Sequence, residues 1–284
     1  MKACVIGASG YTGRELVRLL LGHPRIELSV ITSRALDGQP VEKIIPQVVG
    51  NSDGLVFSNP SIEQLCHQQD LDIFFLALPH GTAASYAIAL LEADKKVIDL
   101  SADFRLNSAD TYTEFYGEEH PDKELLQTAQ YGLPELARPS WEKSKLIASP
   151  GCYPTSILVP LAPLLKHNLV SNTDIVINSM SGISGAGRNA SEKLLYCERN
   201  ENASAYGLPK HRHLSEIEEQ LSFFANQQVV VSFHPHLAPM NRGICTTISV
   251  PTNENTEISK VYERWNQEYE KSSFVNVLPT GTFP

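Results

Sequence analysis

Short apolar runs alternate with helical spacings through the first half of the chain. Leucines recur on one helical face at 14–21, and a second helical spacing covers 82–93. Apolar runs that predict strands occur at residues 2–6, 26–31, 71–78 and 96–100. Strands that alternate with helices pair in parallel, and strands buried on both faces are apolar throughout. The pattern predicts an α/β fold with a Rossmann-type doubly wound parallel sheet.

The pattern changes twice in the rest of the chain. Residues 105–145 are rich in Asp, Glu, Tyr and Pro without a clear period, so this segment is interpreted as a long connection. Beyond it, helices are predicted at 155–165, 191–200 and 260–271, and strands at 173–179, 229–233 and 244–250. The last two strands are predicted to form an antiparallel pair. The prediction is a Rossmann domain over 1–149 and a mixed α+β domain over 150–284.

The charge balance of the chain limits its partners. The 284 residues carry a formal net charge of −9, from 23 Lys and Arg against 32 Asp and Glu. An acidic surface repels nucleic acid and anionic membranes, so neither is expected as a partner, although a local basic pocket can still hold an anionic substrate. The longest apolar runs are far too short to span a bilayer.

The cysteines and the two ends of the sequence suggest where the protein works. The five cysteines are scattered and form no C-x-x-C pair: Cys4, Cys66, Cys152, Cys197 and Cys245. This set argues against a disulfide framework and for a reducing cytoplasm, and the first residues do not resemble a signal peptide. The last residues, 278–284, contain neither a capping helix nor a charged tail. We therefore expect a cytoplasmic chain that is an incomplete copy of a longer protein.

A glycine-rich turn lies between the first strand and the first helix. Glycines allow a tight turn that approaches a pyrophosphate closely, and a helix N-terminus presents free N–H groups to phosphates. The spacing G-x-x-G-x-x-G is one residue looser than the commonest dinucleotide motif, and tight turns in any α/β domain are the alternative. The candidate cofactor-binding residues here are Gly7, Ser9, Gly10, Tyr11, Thr12 and Gly13.

The end of the second strand indicates which dinucleotide is bound. A site for NAD usually has an Asp or Glu at this position, which bonds the ribose 2′-hydroxyl. This chain has Ser33 and Arg34 instead, and a hydroxyl and a guanidinium suit a 2′-phosphate. We therefore predict NADP(H) as the cofactor, with a solvated loop arginine as the alternative for Arg34. Pro79 and His80 follow another strand, at the sheet edge where cofactors bind, and complete the candidates.

Cys152 is the candidate nucleophile. It lies in Pro150–Thr155, just before a helical pattern, and a helix N-terminus favours the thiolate. The flanking glycine and prolines hold a turn and admit a substrate close to the sulfur. The other four cysteines are interpreted as small buried apolar residues, most firmly Cys4 and Cys245 in apolar strands.

A cysteine nucleophile needs a base, and the densest histidine cluster is H-R-H at His211 to His213. Glu216 follows at the start of a polar helix and could fix an imidazole tautomer, while Arg212 could pair with an anion. A zinc site built on the two histidines with Cys152 is the alternative, but no clear third and fourth ligands stand at the usual spacing from the H-x-H pair, so no metal is predicted.

The segment from Ser181 to Arg188 is the last strong cluster. Its three glycines alternate with small hydroxyl-bearing or apolar residues and end at an arginine. Accessible backbone N–H groups beside a guanidinium make such a loop receptive to anions. A flexible surface loop is the alternative.

Seven short motifs, in order along nearly the whole chain, resemble the N-acetyl-gamma-glutamyl-phosphate reductase family, which is related to aspartate-semialdehyde dehydrogenase. They are G-A-S-G-Y-T-G from Gly7, A-L-P-H-G from Ala77, S-A-D-F-R-L from Ser101, Y-G-L-P-E from Tyr131, P-G-C-Y-P-T from Pro150, S-G-I-S-G-A-G-R from Ser181 and H-R-H-L-S-E-I from His211. The chain departs from the family at Ser215, where a proline is usual, and family chains continue past this C-terminus.

The resemblance implies an NADP-binding domain followed by a catalytic and oligomerisation domain. It implies Cys152 as the nucleophile and His211 as the acid/base. The candidate substrate-binding residues are Arg105, Ser181, Arg188, Arg212 and Glu216. Relatives are usually oligomeric, so a homo-oligomer, a dimer or tetramer, is expected. The expected substrate is a small acyl phosphate.

The implied reaction is the NADPH-dependent reductive dephosphorylation of N-acetyl-glutamyl 5-phosphate to the 5-semialdehyde through a cysteine thioester, in arginine biosynthesis. Two alternatives remain. One is a related acyl-phosphate or semialdehyde dehydrogenase, such as aspartate-semialdehyde dehydrogenase. The other is a nucleotide-binding protein without catalysis.

Overall fold

The strands of the first half of the chain form one parallel sheet. The computed structural model describes residues 1–136, 143–254 and 256–282. The strands are β1 (Lys2–Ile6), β2 (Glu27–Thr32), β3 (Phe57–Ser58), β4 (Ile73–Leu76), β5 (Lys96–Asp99), β6 (Gln130–Tyr131) and β7 (Leu146–Ala148). Their order in the sheet is β3-β2-β1-β4-β5-β7-β6, and every pair is parallel. The predicted doubly wound α/β fold is confirmed.

Two apolar cores cover the two faces of this sheet. The helices are α1 (Tyr11–Leu21), α2 (Val41–Ile44), α3 (Ile62–Cys66), α4 (Ala83–Glu92), α5 (Ala109–Tyr116) and α6 (Lys123–Thr128). Successive strand residues point to opposite faces, so Ala3 and Val5 of β1 pack with α1, while Cys4 and Ile6 pack with α4. This double burial explains why the strands are continuously apolar.

The chain reverses its direction across the sheet between β1 and β4. It runs outward from β1 through β2 to β3 and then returns to β4 on the other side of β1. Open α/β sheets bind ligands beyond the carboxyl ends of the strands at such a switch point. The residues that follow Ile6 and Leu76 occupy this position.

The segment 105–145, interpreted as a long connection or excursion, contains two short helices that its composition did not predict. Helix α5 begins after Ser108, whose hydroxyl accepts a hydrogen bond from the Thr111 N–H, and ends at Gly117 with a φ of 79°. The Asp122 carboxylate caps α6 in the same way. Both helices are short and polar, so they show little apolar period. Residues 137–142 of this segment lie outside the described residues.

The second half of the chain forms a smaller mixed sheet. Its strands are β8 (Ile175–Ser181), β9 (Ser204–Ala205), β10 (Val231–Leu237) and β11 (Ile244–Ser249), in the order β11-β8-β10-β9. The predicted antiparallel pairing of the last two strands is wrong, because β8 lies between them, parallel to β10 and antiparallel to β11. The alternation of apolar and polar residues in a strand indicates which face is buried, but it does not indicate which other strand is its neighbour in the sheet.

The helices of this half are α7 (Cys152–Lys166), α8 (Tyr196–Arg199), α9 (His213–Ala225) and α10 (Ile258–Tyr269). Helix α7 packs against α9, α10 and β11. The predicted helix at 191–200 is reduced to a 3₁₀ turn and the four-residue α8. Leu195 and Tyr196 are exposed there, so a longer helix would have no apolar face to bury.

By their internal contacts the residues fall into two compact units. The first contains Met1–Gly132, Pro139–Pro150 and Gly187–Asn189; the second contains Leu133–Arg138, Gly151–Ala186 and Ala190–Pro284. The short segment around Arg188 therefore belongs with the parallel sheet, although it follows β8 in the sequence. A helix that is both long and apolar enough to cross a membrane does not occur within the described ranges.

Candidate active site

The turn after β1 is shaped by two glycines that no other residue could replace without rearrangement. Gly7 has a φ of +84°, and a Cβ there would lie 2.4 Å from the Ala77 carbonyl oxygen. A Cβ on Gly13 would lie 2.4 Å from the Gly7 carbonyl oxygen. Gly10, the N-cap of α1, offers no side chain to the helix, so the first N–H groups of α1 remain for a ligand. This backbone geometry fits a dinucleotide phosphate.

Hydroxyl groups line the corner between this turn and the end of β2. The Ser33 hydroxyl donates to the Ser9 hydroxyl at 3.0 Å, and the Gly7 N–H donates to the Thr32 hydroxyl at 3.3 Å. Ser33 is buried, whereas Arg34 is exposed. The structure thus brings Ser9 and Ser33 together, as expected for residues that share a ligand, and it places no carboxylate at the end of β2, where Thr32, Ser33 and Arg34 stand.

The loop after β4 is held by a buried carboxylate that the sequence analysis missed. Asp103 is fully buried, and its two oxygens accept hydrogen bonds from the Gly81 N–H at 2.8 Å and the Ala84 N–H at 2.9 Å. Asp103 therefore caps α4 and fixes the loop that carries the exposed residues Pro79 and His80. Asp103 is the third residue of the family motif S-A-D-F-R-L, and that motif is the sequence signal that could have identified it.

Arg105 and Asp99 are buried beside this anchor. Arg105 donates from Nε to the Ser149 carbonyl at 2.8 Å and from Nη2 to the Leu100 carbonyl at 2.9 Å. Asp99 accepts two hydrogen bonds from Ser101, and its burial raises the pKa of the carboxyl to about 7. Through these contacts Arg105 holds two segments of backbone together, and its predicted contact with substrate stays a prediction.

Cys152 is the first residue of α7 and its side chain is exposed. The preceding Gly151 is the N-cap, with an extended backbone, and its N–H donates to the Glu216 carboxylate at 2.8 Å. Glu216 itself is fully buried in α9. A helix N-terminus favours a negative charge, so the sulfur lies where a thiolate is stabilised. Glu216 holds the turn that presents Cys152, and its predicted contact with substrate stays a prediction.

The imidazole of His211 is held in one tautomer. Its Nδ1 accepts a hydrogen bond from the His213 backbone N–H at 3.1 Å, so its own proton lies on Nε2. Burial, and then the charge of Arg212, lowers the pKa of His211 to about 4. At neutral pH this side chain is therefore an uncharged Nε2–H donor.

Aromatic rings surround His211 and account for its burial. The rings of Tyr206, Tyr153 and Phe233 meet it edge to face, with centroids 5.4, 5.5 and 5.6 Å away. The Tyr206 hydroxyl donates to the Tyr153 hydroxyl at 2.8 Å. Burial raises the pKa of both tyrosines, so both hydroxyls stay protonated. The sequence analysis named neither tyrosine, because a tyrosine far from its partner in sequence has no distinguishing spacing.

The predicted anion-receptive loop is divided by the structure. Ser181 ends β8, is buried, and donates from its hydroxyl to the Gly182 carbonyl at 3.1 Å. Arg188 instead belongs to the first unit, where its Nη1 donates to the Ser9 carbonyl at 2.7 Å. Arg212, exposed, is the N-cap residue of α9. Arg188 thus lies beside the cofactor candidate Ser9, and its predicted contact with substrate stays a prediction.

Of the four cysteines interpreted as buried apolar residues, one is fully buried and Cys66 is only half-buried. Cys4 is fully buried in β1, as predicted. Cys197 and Cys245 are exposed, so the prediction of buried apolar residues is wrong for both. Cys245 lies in β11, where alternate residues point away from α7 toward the open face of the sheet. Among the described residues, no three His, Cys, Asp or Glu side chains are grouped to hold a metal ion.

Two family models match the chain. Residues 2–144 match the one described as semialdehyde dehydrogenase, NAD binding domain, and residues 152–284 match the one described as semialdehyde dehydrogenase, dimerisation domain. A protein of Akkermansia muciniphila named N-acetyl-gamma-glutamyl-phosphate reductase is 49% identical over 98% of this chain and 80% of its own length. A protein of the same name from Desulfotalea psychrophila is 47% identical over 100% and 81%.

Solved structures share the fold at low identity. Aspartate semialdehyde dehydrogenase II from Vibrio cholerae superposes with a TM-score of 0.70 at 15% identity, over 100% of this chain and 82% of that chain. Aspartate semialdehyde dehydrogenase from Candida albicans, solved with NADP, gives 0.62 at 15% identity, over 93% and 75%. Both likenesses concern the fold alone.

Proposed function

Because the chain belongs to the N-acetyl-gamma-glutamyl-phosphate reductase family, we propose that it converts N-acetyl-glutamyl 5-phosphate to N-acetyl-glutamate 5-semialdehyde in the cytoplasm, as a step of arginine biosynthesis. The cofactor is NADP(H), held by the glycine turn from Gly7 to Gly13 and by Ser33. The observation that carries the proposal is an exposed Cys152 at the start of α7, set by a turn that the buried Glu216 holds in place.

The first step belongs to Cys152. Its thiolate attacks the acyl carbonyl, a C–S bond forms, the C–O bond to the phosphoryl group breaks, and inorganic phosphate leaves a thioester on the sulfur. The start of α7 stabilises the thiolate before attack. The N–H of Gly151 is already bonded to Glu216, so this amide is occupied and serves the turn.

NADPH supplies the hydride that reduces the thioester carbonyl. His211, as a neutral Nε2–H donor, can hydrogen-bond the carbonyl oxygen and stabilise the negative charge that hydride addition places on it, while keeping its own proton. The resulting hemithioacetal alkoxide collapses: its oxygen re-forms the aldehyde carbonyl, the C–S bond breaks, and Cys152 leaves as the thiolate. Acyl phosphate, NADPH and a proton thus become aldehyde, NADP⁺ and phosphate.

The test is phosphate-dependent reduction of NADP⁺ by N-acetyl-glutamate 5-semialdehyde, the reverse reaction. We expect the parent to be active and Cys152→Ala to be inactive. Cys197→Ala, another exposed cysteine, is the matched control and should keep parent activity. Activity that survives in Cys152→Ala would exclude the thioester mechanism, and a preference for aspartate semialdehyde would assign the chain to the related dehydrogenase reaction.

We further propose that two copies associate through the open face of the four-stranded sheet. One face of this sheet is exposed at Asn178 and Met180 of β8 and at Cys245 and Thr247 of β11. Helix α7 packs against β11 in the same unit. The match of residues 152–284 to a dimerisation domain supports a second copy as the occupant. A homodimer, or a tetramer built from it, is the proposed assembly.

A further inference from the structure

Two guanidinium groups converge on one carbonyl oxygen at the glycine turn. Arg14 donates from Nε to the Ser9 carbonyl at 3.1 Å, and Arg188 donates from Nη1 to the same oxygen at 2.7 Å. Arg14 stands in the first turn of α1, whereas Arg188 comes from the short segment Gly187–Asn189, 179 positions from Ser9 in the sequence.

The charges in this cluster are not balanced by the protein. A single carbonyl oxygen cannot neutralise two guanidinium ions, and within the described ranges no carboxylate forms an ion pair with either Arg14 or Arg188. The first turn of α1, from Tyr11 to Arg14, contains no acidic residue, and the helix N-terminus adds partial positive charge. Burial, and then the charge of Arg188, lowers the pKa of Arg14, as expected for like charges held together.

The cluster continues into the hydroxyl corner at the end of β2. Ser9 presents its carbonyl to the two arginines and its hydroxyl to Ser33, 3.0 Å away. The end of β2 is where a Rossmann fold recognises the substituent on the ribose 2′-oxygen. Arginine forks suit a phosphate because they offer paired N–H donors in one plane.

We propose that Arg14 and Arg188 form a two-guanidinium site for the 2′-phosphate of NADP(H), with the hydroxyls of Ser9 and Ser33 beside it. The inference rests on the proposed function and deepens it. It transfers Arg188 from the predicted substrate site to the cofactor site, and it adds Arg14, which the sequence analysis did not name. It also explains why two positive side chains meet without a negative partner.

The test measures the equilibrium binding of NADPH and of NADH to the purified full chain. The fluorescence of the reduced nicotinamide is the signal that reports binding. The parent should bind NADPH at least tenfold more tightly than NADH. Arg188→Ala and Arg14→Ala should each weaken NADPH about 10- to 100-fold, the range for a lost charged hydrogen bond, and change NADH less than about twofold. Arg188→Lys should fall between. Arg25→Ala, exposed in the same unit, is the matched control and should bind as the parent does.

Three outcomes would overturn the inference. Unchanged NADPH binding in both alanine variants would show that Arg14 and Arg188 do not bind the cofactor. An equal loss for NADPH and NADH would assign the arginines to the pyrophosphate instead. A raised KM for the acyl phosphate in Arg188→Ala, with NADPH binding intact, would return Arg188 to the substrate site.

Steady-state kinetics separate this inference from the proposed function. In Arg188→Ala, the KM for NADPH should rise while kcat at saturating NADPH stays close to the parent value. If the parent shows Cys152-dependent activity but the arginine variants bind NADPH normally, the inference fails and the proposed function stands. If the parent binds neither dinucleotide, the proposed function fails first. Thermal melting of each variant identifies any loss that comes from unfolding.

Discussion

His211 has its proton on Nε2 because the backbone N–H of His213 occupies Nδ1. Burial among aromatic rings, and then the charge of Arg212, lowers the pKa of His211 to about 4. At neutral pH His211 is thus suited to donate a hydrogen bond and unsuited to accept the Cys152 proton through Nε2.

We therefore expect another side chain that donates an N–H hydrogen bond to restore part of the activity lost when His211 is removed. In the reductase assay His211→Gln, whose side-chain amide keeps an N–H, should retain more activity than His211→Ala. Nitrogen NMR of labelled imidazole should show the Nε2–H tautomer from pH 8 down to about 4. Equal loss of activity in both variants, together with titration of His211 near pH 6.5, would restore the role of general base.

Asp99 should make the folded state less stable as the pH rises. Its burial raises the pKa to about 7, so between about pH 4 and 7 the folded chain holds a proton that the unfolded chain has released. The unfolded state binds fewer protons in this window, and the free energy of unfolding falls with pH. Because His211 has a lowered pKa, its contribution runs the other way, and stability rises between about pH 4 and 6.5.

The substitution Asp99→Asn isolates the carboxyl contribution. Asn cannot ionise and its oxygen can still accept the Ser101 N–H. The melting temperature at pH 8, relative to that at pH 5, should be higher in the variant than in the parent, whatever the variant's absolute stability, because the contribution of Asp99 that falls with pH is gone. The same pH slope in both proteins would show that Asp99 does not titrate in this window.

Helix α7 contains two prolines in its interior, Pro160 and Pro163, and its neighbour α10 compensates for one of them. Pro163 has no N–H for the Val159 carbonyl, four residues earlier, and the Tyr269 hydroxyl donates to that oxygen instead. Trp265 of α10 donates to the Pro160 carbonyl at 2.7 Å. The break in the backbone ladder of α7 thus becomes the attachment point of α10.

Removing the Tyr269 hydroxyl should take a hydrogen bond away from a partly buried carbonyl. We expect Tyr269→Phe to lower the free energy of unfolding by about 1–3 kcal/mol, measured by urea denaturation. Tyr262→Phe, in the same helix but without this bond, should cost less than about 0.5 kcal/mol. Equal effects of the two substitutions would mean that the Val159 carbonyl gains nothing from Tyr269.

At the scale of the whole molecule, the proposed assembly uses the open face of the four-stranded sheet. Met180 of β8 is 50% exposed and stands opposite Cys245 of β11 in the sheet register. If a second copy covers this face, Met180→Lys places an unpaired charge in the interface and should convert dimers to monomers, measured by light scattering after size exclusion. Ile258→Lys, on the exposed side of α10, should keep the parent mass. An unchanged mass in Met180→Lys would place the interface elsewhere.

Local patterns in the sequence were enough for the parallel sheet, the glycine turn and the position of Cys152. Each depends on residues close together in the chain: apolar runs for β1 and β4, glycines that alone fit beside the Gly7 and Ala77 carbonyls, and a Gly-Cys step that starts a helix. Short-range sterics and burial leave a visible period or motif, so these features could be predicted.

Other features depend on residues far apart in the sequence, and only the tertiary structure decided them. The bond from Gly151 to Glu216 spans 65 positions and that from Arg188 to Ser9 spans 179. The placement of β8 between β10 and β11 is of the same kind. A hydrogen bond or strand pairing between distant segments adds free energy only once the chain has folded, so it leaves no periodic trace along the sequence. For that reason the sequence alone determined which chemistry this chain carries, and the folded structure decided which residues hold it in place.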